Sequence, residues 1–128
     1  MLTKDFLKND RYAELSGIEL IAVEIGYAKA KMQITESHLN AAGFCQGGAI
    51  FTLGDLAFAA AVNAQGLLTV SISSTINFFR SEKDGYLYAE ACEIHSHKRL
   101  PYCEVKITNE KNELVAVLNA TGYRKISG

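Results

Sequence analysis

Residues 46–64 read QGGAIFTLGDLAFAAAVNA. Apolar and small residues occupy every side of a helix drawn through this stretch, and such a helix would be roughly 28 Å long. A helix of that character is enclosed by other elements rather than laid on a surface. Asp55 is its only charge. Residues 63–66 end it, with Gly66 suited to the left-handed conformation that follows many helix C-termini. The apolar run 49–62 is too short, and too interrupted by Asp55, to span a bilayer.

Outward from this helix the period changes. On its N-terminal side, residues 2–15 read as a short amphipathic helix, with Leu2, Phe6 and Leu7 on one face and Tyr12 and Leu15 extending it. After Gly17, Ala28, Ala30, Met32 and Ile34 alternate with Lys29, Lys31 and Gln33, as in a half-buried strand. Residues 18–25 are its hairpin partner, turning at Gly26 and Tyr27. On the C-terminal side, Val70, Ile72, Ser74, Ile76 and Phe78 alternate with Thr69, Ser71, Ser73, Thr75 and Asn77. Strands over 86–95, over the alternation of Cys103, Val105 and Ile107, and over 113–124 follow, joined by the turns 82–85 and 109–112. Two strands, a buried helix and four strands predict an α+β chain in which an antiparallel sheet curls around one helix. That architecture is the hotdog fold.

The chain has 128 residues, enough for one domain over 1–128, and 48% of them are hydrophobic. A net charge of −1 supplies no basic field for nucleic acid, so none is expected as a partner. The opening MLTKDFLKND scatters charges and has no apolar signal region, which points to a cytoplasmic protein without membrane association. Cys45, Cys92 and Cys103 lack CxxC spacing, so reduced thiols are expected rather than disulfides or a zinc site. No metal and no cofactor is expected.

The chemistry concentrates before and within the helix. Asn40 and Gly43 lie in a loop delivering the chain to the helix N-terminus, where Gly47 and Gly48 make a first turn with no side chains to obstruct a ligand. Free backbone N–H groups there, at the positive end of the helix dipole, suit an oxyanion. Asp55 is a carboxylate in apolar surroundings, costly unless partnered and therefore a functional candidate. Cys45 with His38 is a competing nucleophile–base pair in principle. His97, Lys98 and Arg99, near His95, form either a solvated turn or a phosphate contact, and Arg80 is a second phosphate candidate. The two histidines alone do not make a metal site.

The stretch HLNAAGFCQGGAIFTLGD (38–55) resembles the signature of the phenylacetate-degradation (PaaI-like) hotdog thioesterases, N-x-x-G-x-x-H-G-G, six residues, then D. Asn40, Gly43, Gly47, Gly48 and Asp55 match in identity and spacing, and SSTINFFRS (73–81) resembles the family's strand ending in N-F-x-R. The resemblance extends over about 17–123. It implies an acyl-CoA hydrolase, working as a homodimer or a dimer-of-dimers tetramer with sites at the dimer interface. Asp55 of one subunit would activate water or attack, Gly47 of the partner subunit would polarise the carbonyl, and Asn40 would orient the water. A Ser or Thr on the strand after the helix would support the carboxylate, and Ser71 or Ser73 suits that role.

One departure stands out: the family's His before the Gly-Gly pair is Gln46 here. Gln can hydrogen-bond a substrate carbonyl but cannot carry a proton. The rival class is a non-catalytic hotdog module that binds acyl-CoA as a sensor or scaffold. A hydratase would need a His–carboxylate pair, for which His38 is the only candidate.

Overall fold

A computed structural model describes residues 6–125. Strands β1 (Ile18–Glu24), β2 (Tyr27–Gln33), β3 (Thr69–Phe78), β4 (Tyr86–His95), β5 (Tyr102–Asn109) and β6 (Leu114–Arg124) form one antiparallel sheet in the order β1-β2-β4-β5-β6-β3. The long helix α2 (Gly47–Asn63) lies on one face of the sheet. Its Leu53, Ala57, Phe58 and Val62 pack with Met32, Leu87, Val105, Ile107 and Leu118 in the core. The expected hotdog arrangement is present.

The helix is not enclosed all round. Gly48, Thr52, Asp55 and Ala59 form a strip at helical spacing that the protomer leaves partly or fully open. The sheet wraps the opposite side, so one stripe of small and polar residues stays uncovered.

The far end of α2 is tied down by side chains. Asn63 Nδ2 donates to Ala59 O (2.8 Å) and Thr69 O (3.0 Å), and its Oδ1 accepts the Thr69 N–H (2.8 Å). Buried Arg124 donates to Thr69 Oγ1 (3.0 Å) and Val62 O (2.9 Å), a cation at a helix C-terminus where the dipole favours it. Gly66 has φ +95°, the left-handed value that a Cβ would disfavour.

Two further expectations change. The N-terminal helix is two pieces, a 3-10 turn Phe6–Asn9 and helix α1 (Arg11–Leu15), because Asp10 breaks the run. Its carboxylate accepts the Ala13 N–H (3.0 Å), and Asp is more stable capping a helix start than continuing one. Leu2 lies outside the described residues. Tyr12 and Leu15 face solvent, and Ala13 is the residue α1 buries.

The second change is in β3. Its pairing with β6 slips between Ser71 and Ser73, so the side-chain alternation reverses there. Paired residues share a sheet face. Thr69 and Ser71 pair with Arg124 and Gly122, and Ser74, Ile76 and Phe78 pair with Ala120, Leu118 and Ala116, all on the helix side. Val70 pairs with half-exposed Tyr123 and points away, so the simple alternation over Val70–Phe78 does not hold.

Candidate active site

A short irregular loop sets the entrance to α2. Asn40 N–H donates to Phe44 O (2.7 Å), and Gly43, at φ +84°, returns its N–H to Asn40 O (3.0 Å). Asn40 Oδ1 accepts from Ala42 N (2.9 Å) and Phe44 N (3.1 Å). The side-chain carbonyl of Asn40 is therefore engaged in shaping the loop, and its Nδ2 has no acceptor among the described residues.

The loop hands over to the helix through Cys45 N–H to Glu82 O (2.7 Å) and Gln46 N–H to His38 O (2.8 Å). Gln46 is the N-cap but makes no capping side-chain bond. Its Oε1 lies 3.0 Å from where a Gly48 Cβ would stand, so the amide folds over the first turn. Ala49 N–H is satisfied by Gln46 O (3.0 Å), whereas the Gly47 and Gly48 amides find no acceptor among the described residues. Two donors thus face outward at the positive end of a helix of 17 residues.

Asp55 sits on the open strip, half buried, with no hydrogen-bond partner among the described residues. Burial pushes its pKa above the usual 3.8, and the Asp10 carboxylate adds to the rise. Eight residues separate Asp55 from Gly47, about 12 Å along the helix axis. Within one protomer the carboxylate and the free amide cannot reach one carbonyl.

The bulge in β3 separates the two serine candidates. Ser71 faces the helix side, where its Oγ lies 3.0 Å from Ser74 Oγ, while Ser73 pairs with Thr121 on the outer face. Ser74 is a helix-side hydroxyl that the alternation pattern placed correctly but gave no role. The bulge itself leaves no mark in the local sequence.

The competing nucleophile loses its basis. Cys45 is buried, and desolvation pushes its thiol up to about 11, so it is not a ready thiolate. His38 Nδ1 accepts the Thr35 N–H (2.9 Å) while Nε2 bonds Ser16 O (2.7 Å). Both ring nitrogens are engaged in holding the loop to the end of α1, which removes the His–carboxylate pair of a hydratase. Cys103 is also buried, and Cys92 is exposed; all three cysteines are free thiols.

The basic candidates are scattered. Arg80 contacts Glu82 (3.3 Å) and Glu113 (3.4 Å), which compensate its charge. His97 Nδ1 accepts from Arg99 N (3.0 Å) and Leu100 N (2.9 Å), closing the β4–β5 turn, with Lys98 and Arg99 exposed. The Arg99 carbonyl accepts from Arg124 N (2.7 Å), so this turn lies by the C-terminal end of α2, a helix length from Gly47 in the same protomer.

Residues 42–116 match the sequence pattern of the thioesterase superfamily. The chain belongs to the thioesterase superfamily. As a thioesterase-superfamily chain it is, by class, a thioester hydrolase. It is 38% identical over 123 residues to a putative esterase of Archaeoglobus fulgidus, an alignment covering 94% of this chain and 80% of the relative. It is 33% identical to the acyl-coenzyme A thioesterase PaaI of Escherichia coli, over 91% of this chain and 84% of that one. The solved structure of E. coli PaaI superimposes with a TM-score of 0.89, covering 94% of this chain and 88% of that one. The structure of a hypothetical thioesterase from Streptococcus pneumoniae with coenzyme A superimposes at a TM-score of 0.85 with 25% identity, covering 93% of this chain and 96% of that one. Among the described residues no helix is long and apolar enough to cross a membrane.

Proposed function

We propose that the protein hydrolyses acyl-CoA thioesters to a free acid and CoA, at sites shared between two copies of the chain. The carrying observation is the 12 Å offset, by helix rise, between Asp55 and the free Gly47 amide on one helix. Each protomer holds half of a site twice over. Strand β3 is an unpaired edge with Val70 and Ile72 each about half exposed, suited to pairing with its own copy about a two-fold axis. Antiparallel pairing there sets two α2 helices side by side in opposite directions. Asp55 then stands near Gly47 of the partner subunit.

In this arrangement Asp55 takes a proton from water as the water oxygen bonds to the carbonyl carbon. The negative charge moves to the carbonyl oxygen, which accepts from the Gly47 amide, with the Gly48 turn leaving room for it. Collapse of that intermediate breaks the C–S bond, and the thiolate of CoA recovers the proton. Direct attack by the Asp55 carboxylate reaches the same products through an anhydride that water then opens. Asn40 Nδ2 donates to the water, Gln46 steadies the carbonyl, and Ser71, the serine on the helix side, turns from Ser74 to support Asp55 once the site is assembled. Lys98 and Arg99 carry the charge for CoA phosphates on the turn that His97 closes, with Arg80 the weaker candidate because two carboxylates already hold it. The name of the E. coli relative and the CoA in the pneumococcal structure support the substrate class.

Free thiol released from a panel of acyl-CoA thioesters of varied chain length is the test. Catalytic release from at least one is expected. Binding of CoA compounds with no release from any would instead favour a binding module, with Gln46 the first cause to examine. Light scattering at micromolar concentration is expected to show a dimer or a dimer of dimers, and a stable particle of protomer mass would remove the shared site.

A further inference from the structure

Phe78 is the part of β3 that reaches the start of α2. A Cβ placed on Gly47 would lie 2.9 Å from Phe78 Cζ and 3.4 Å from each Cε atom. The tip of the ring therefore fills the space beside the Gly47 Cα. The residue as a whole is nevertheless 48% exposed, so it forms a wall at the surface rather than part of the core. In a helix the Cα–Cβ direction tilts toward the N-terminus, the same way the first amides point. The ring and the free Gly47 N–H thus border one space. A carbonyl hydrogen-bonded to that amide at about 2.9 Å brings its neighbouring carbon close to the ring, where carbon–carbon contact is optimal at about 3.5–4.0 Å.

We propose that Phe78 is a specificity-determining residue of the thioester site. Its ring sets the width of the slot beside the Gly47 amide, admitting acyl groups unbranched at the carbon next to the carbonyl and rejecting those branched there. This rests on the acyl-thioester reading above and names the substrate class within it. Phe78 and Gly47 belong to the same chain, so the wall travels with the amide whichever copy supplies the carboxylate.

The measurement is kcat/KM for the best unbranched acyl-CoA of the panel and for its 2-methyl counterpart. The wild type is expected to prefer the unbranched substrate by about tenfold or more, since one methyl group in a tight apolar pocket discriminates by about 10–200-fold. Phe78→Ala is expected to bring the ratio close to one. The ratio cancels the fraction of active protein, so a purely structural role for the ring would not move it. Equal rates in the wild type, or an unchanged ratio in Phe78→Ala, overturns the proposal while leaving the hydrolase reading intact. No release from any thioester removes the hydrolase reading, and this proposal with it. A second measurement is independent of turnover: Gly47→Ala is expected to lower Tm in the wild-type background and to lower it less beside Phe78→Ala. An equal loss in both backgrounds means the ring does not bound that space, and the proposal falls.

Discussion

Asp55→Asn is expected to lower kcat by roughly 10²–10⁴, the usual range for removing a general base. Asn fills nearly the same volume but neither accepts a proton from water nor attacks a thioester. Acyl-CoA binding should stay within a few-fold, because in the proposed site the side chain lies beside the carbonyl and not along the CoA body. Stability should hold or rise. Burial and Asp10 raise the folded-state pKa of Asp55, so folding favours its protonated form. The resulting cost is absent below the ordinary carboxylate pKa of 3.8 and grows as pH climbs through the raised value. At neutral pH Asn escapes that cost. The same shift moves the acidic limb of kcat/KM against pH upward from the ordinary 3.8, and Asp10→Asn should move the limb down by removing a negative charge. Wild-type turnover in Asp55→Asn would defeat the assignment, and an unmoved limb in Asp10→Asn would show that the two carboxylates are not coupled.

Gly47→Val is expected to lower kcat by about 10² or more, the scale of losing one oxyanion donor. Two causes converge on that residue. Its amide is free to meet the carbonyl, and its Cα faces the Phe78 ring, which a Val side chain would displace. Phe78 is half exposed and its ring can swing outward, so the chain should still fold. Circular dichroism and light scattering on the variant check the fold and assembly, and thiol release measures the loss. If turnover survives, the Gly47 amide is not the oxyanion donor and the Gly-Gly pair serves only to pack the helix start.

Much of this site was legible along the chain because its parts are local. The order Asn40, Gly43, Gly47, Gly48 and Asp55 specifies a loop, a bare helix start and a lone carboxylate through spacing alone. What Asn40 offers was not legible, since only the folded loop shows that Oδ1 is engaged while Nδ2 has no acceptor among the described residues. The rival role of His38 likewise fell to a bond with Ser16, 22 residues away.

By itself the sequence determined the helix over α2, the strands with clean two-residue alternation and the turns at Gly66 and Gly85, because each follows from backbone preference and local periodicity. The tertiary structure alone decided the face of each residue in β3. That strand pairs with β6 about 50 residues later in the chain, and its bulge reverses the alternation between Ser71 and Ser73. The reversal turns Ser71 and Phe78 to the helix side together, although their positions are of opposite parity. No local pattern encodes such a slip, because it is fixed by which residues of the partner strand supply the hydrogen bonds. The offset between Asp55 and Gly47 belongs to both levels: it can be counted in residues, and it becomes a reason for two copies only once β3 is seen to be an open edge.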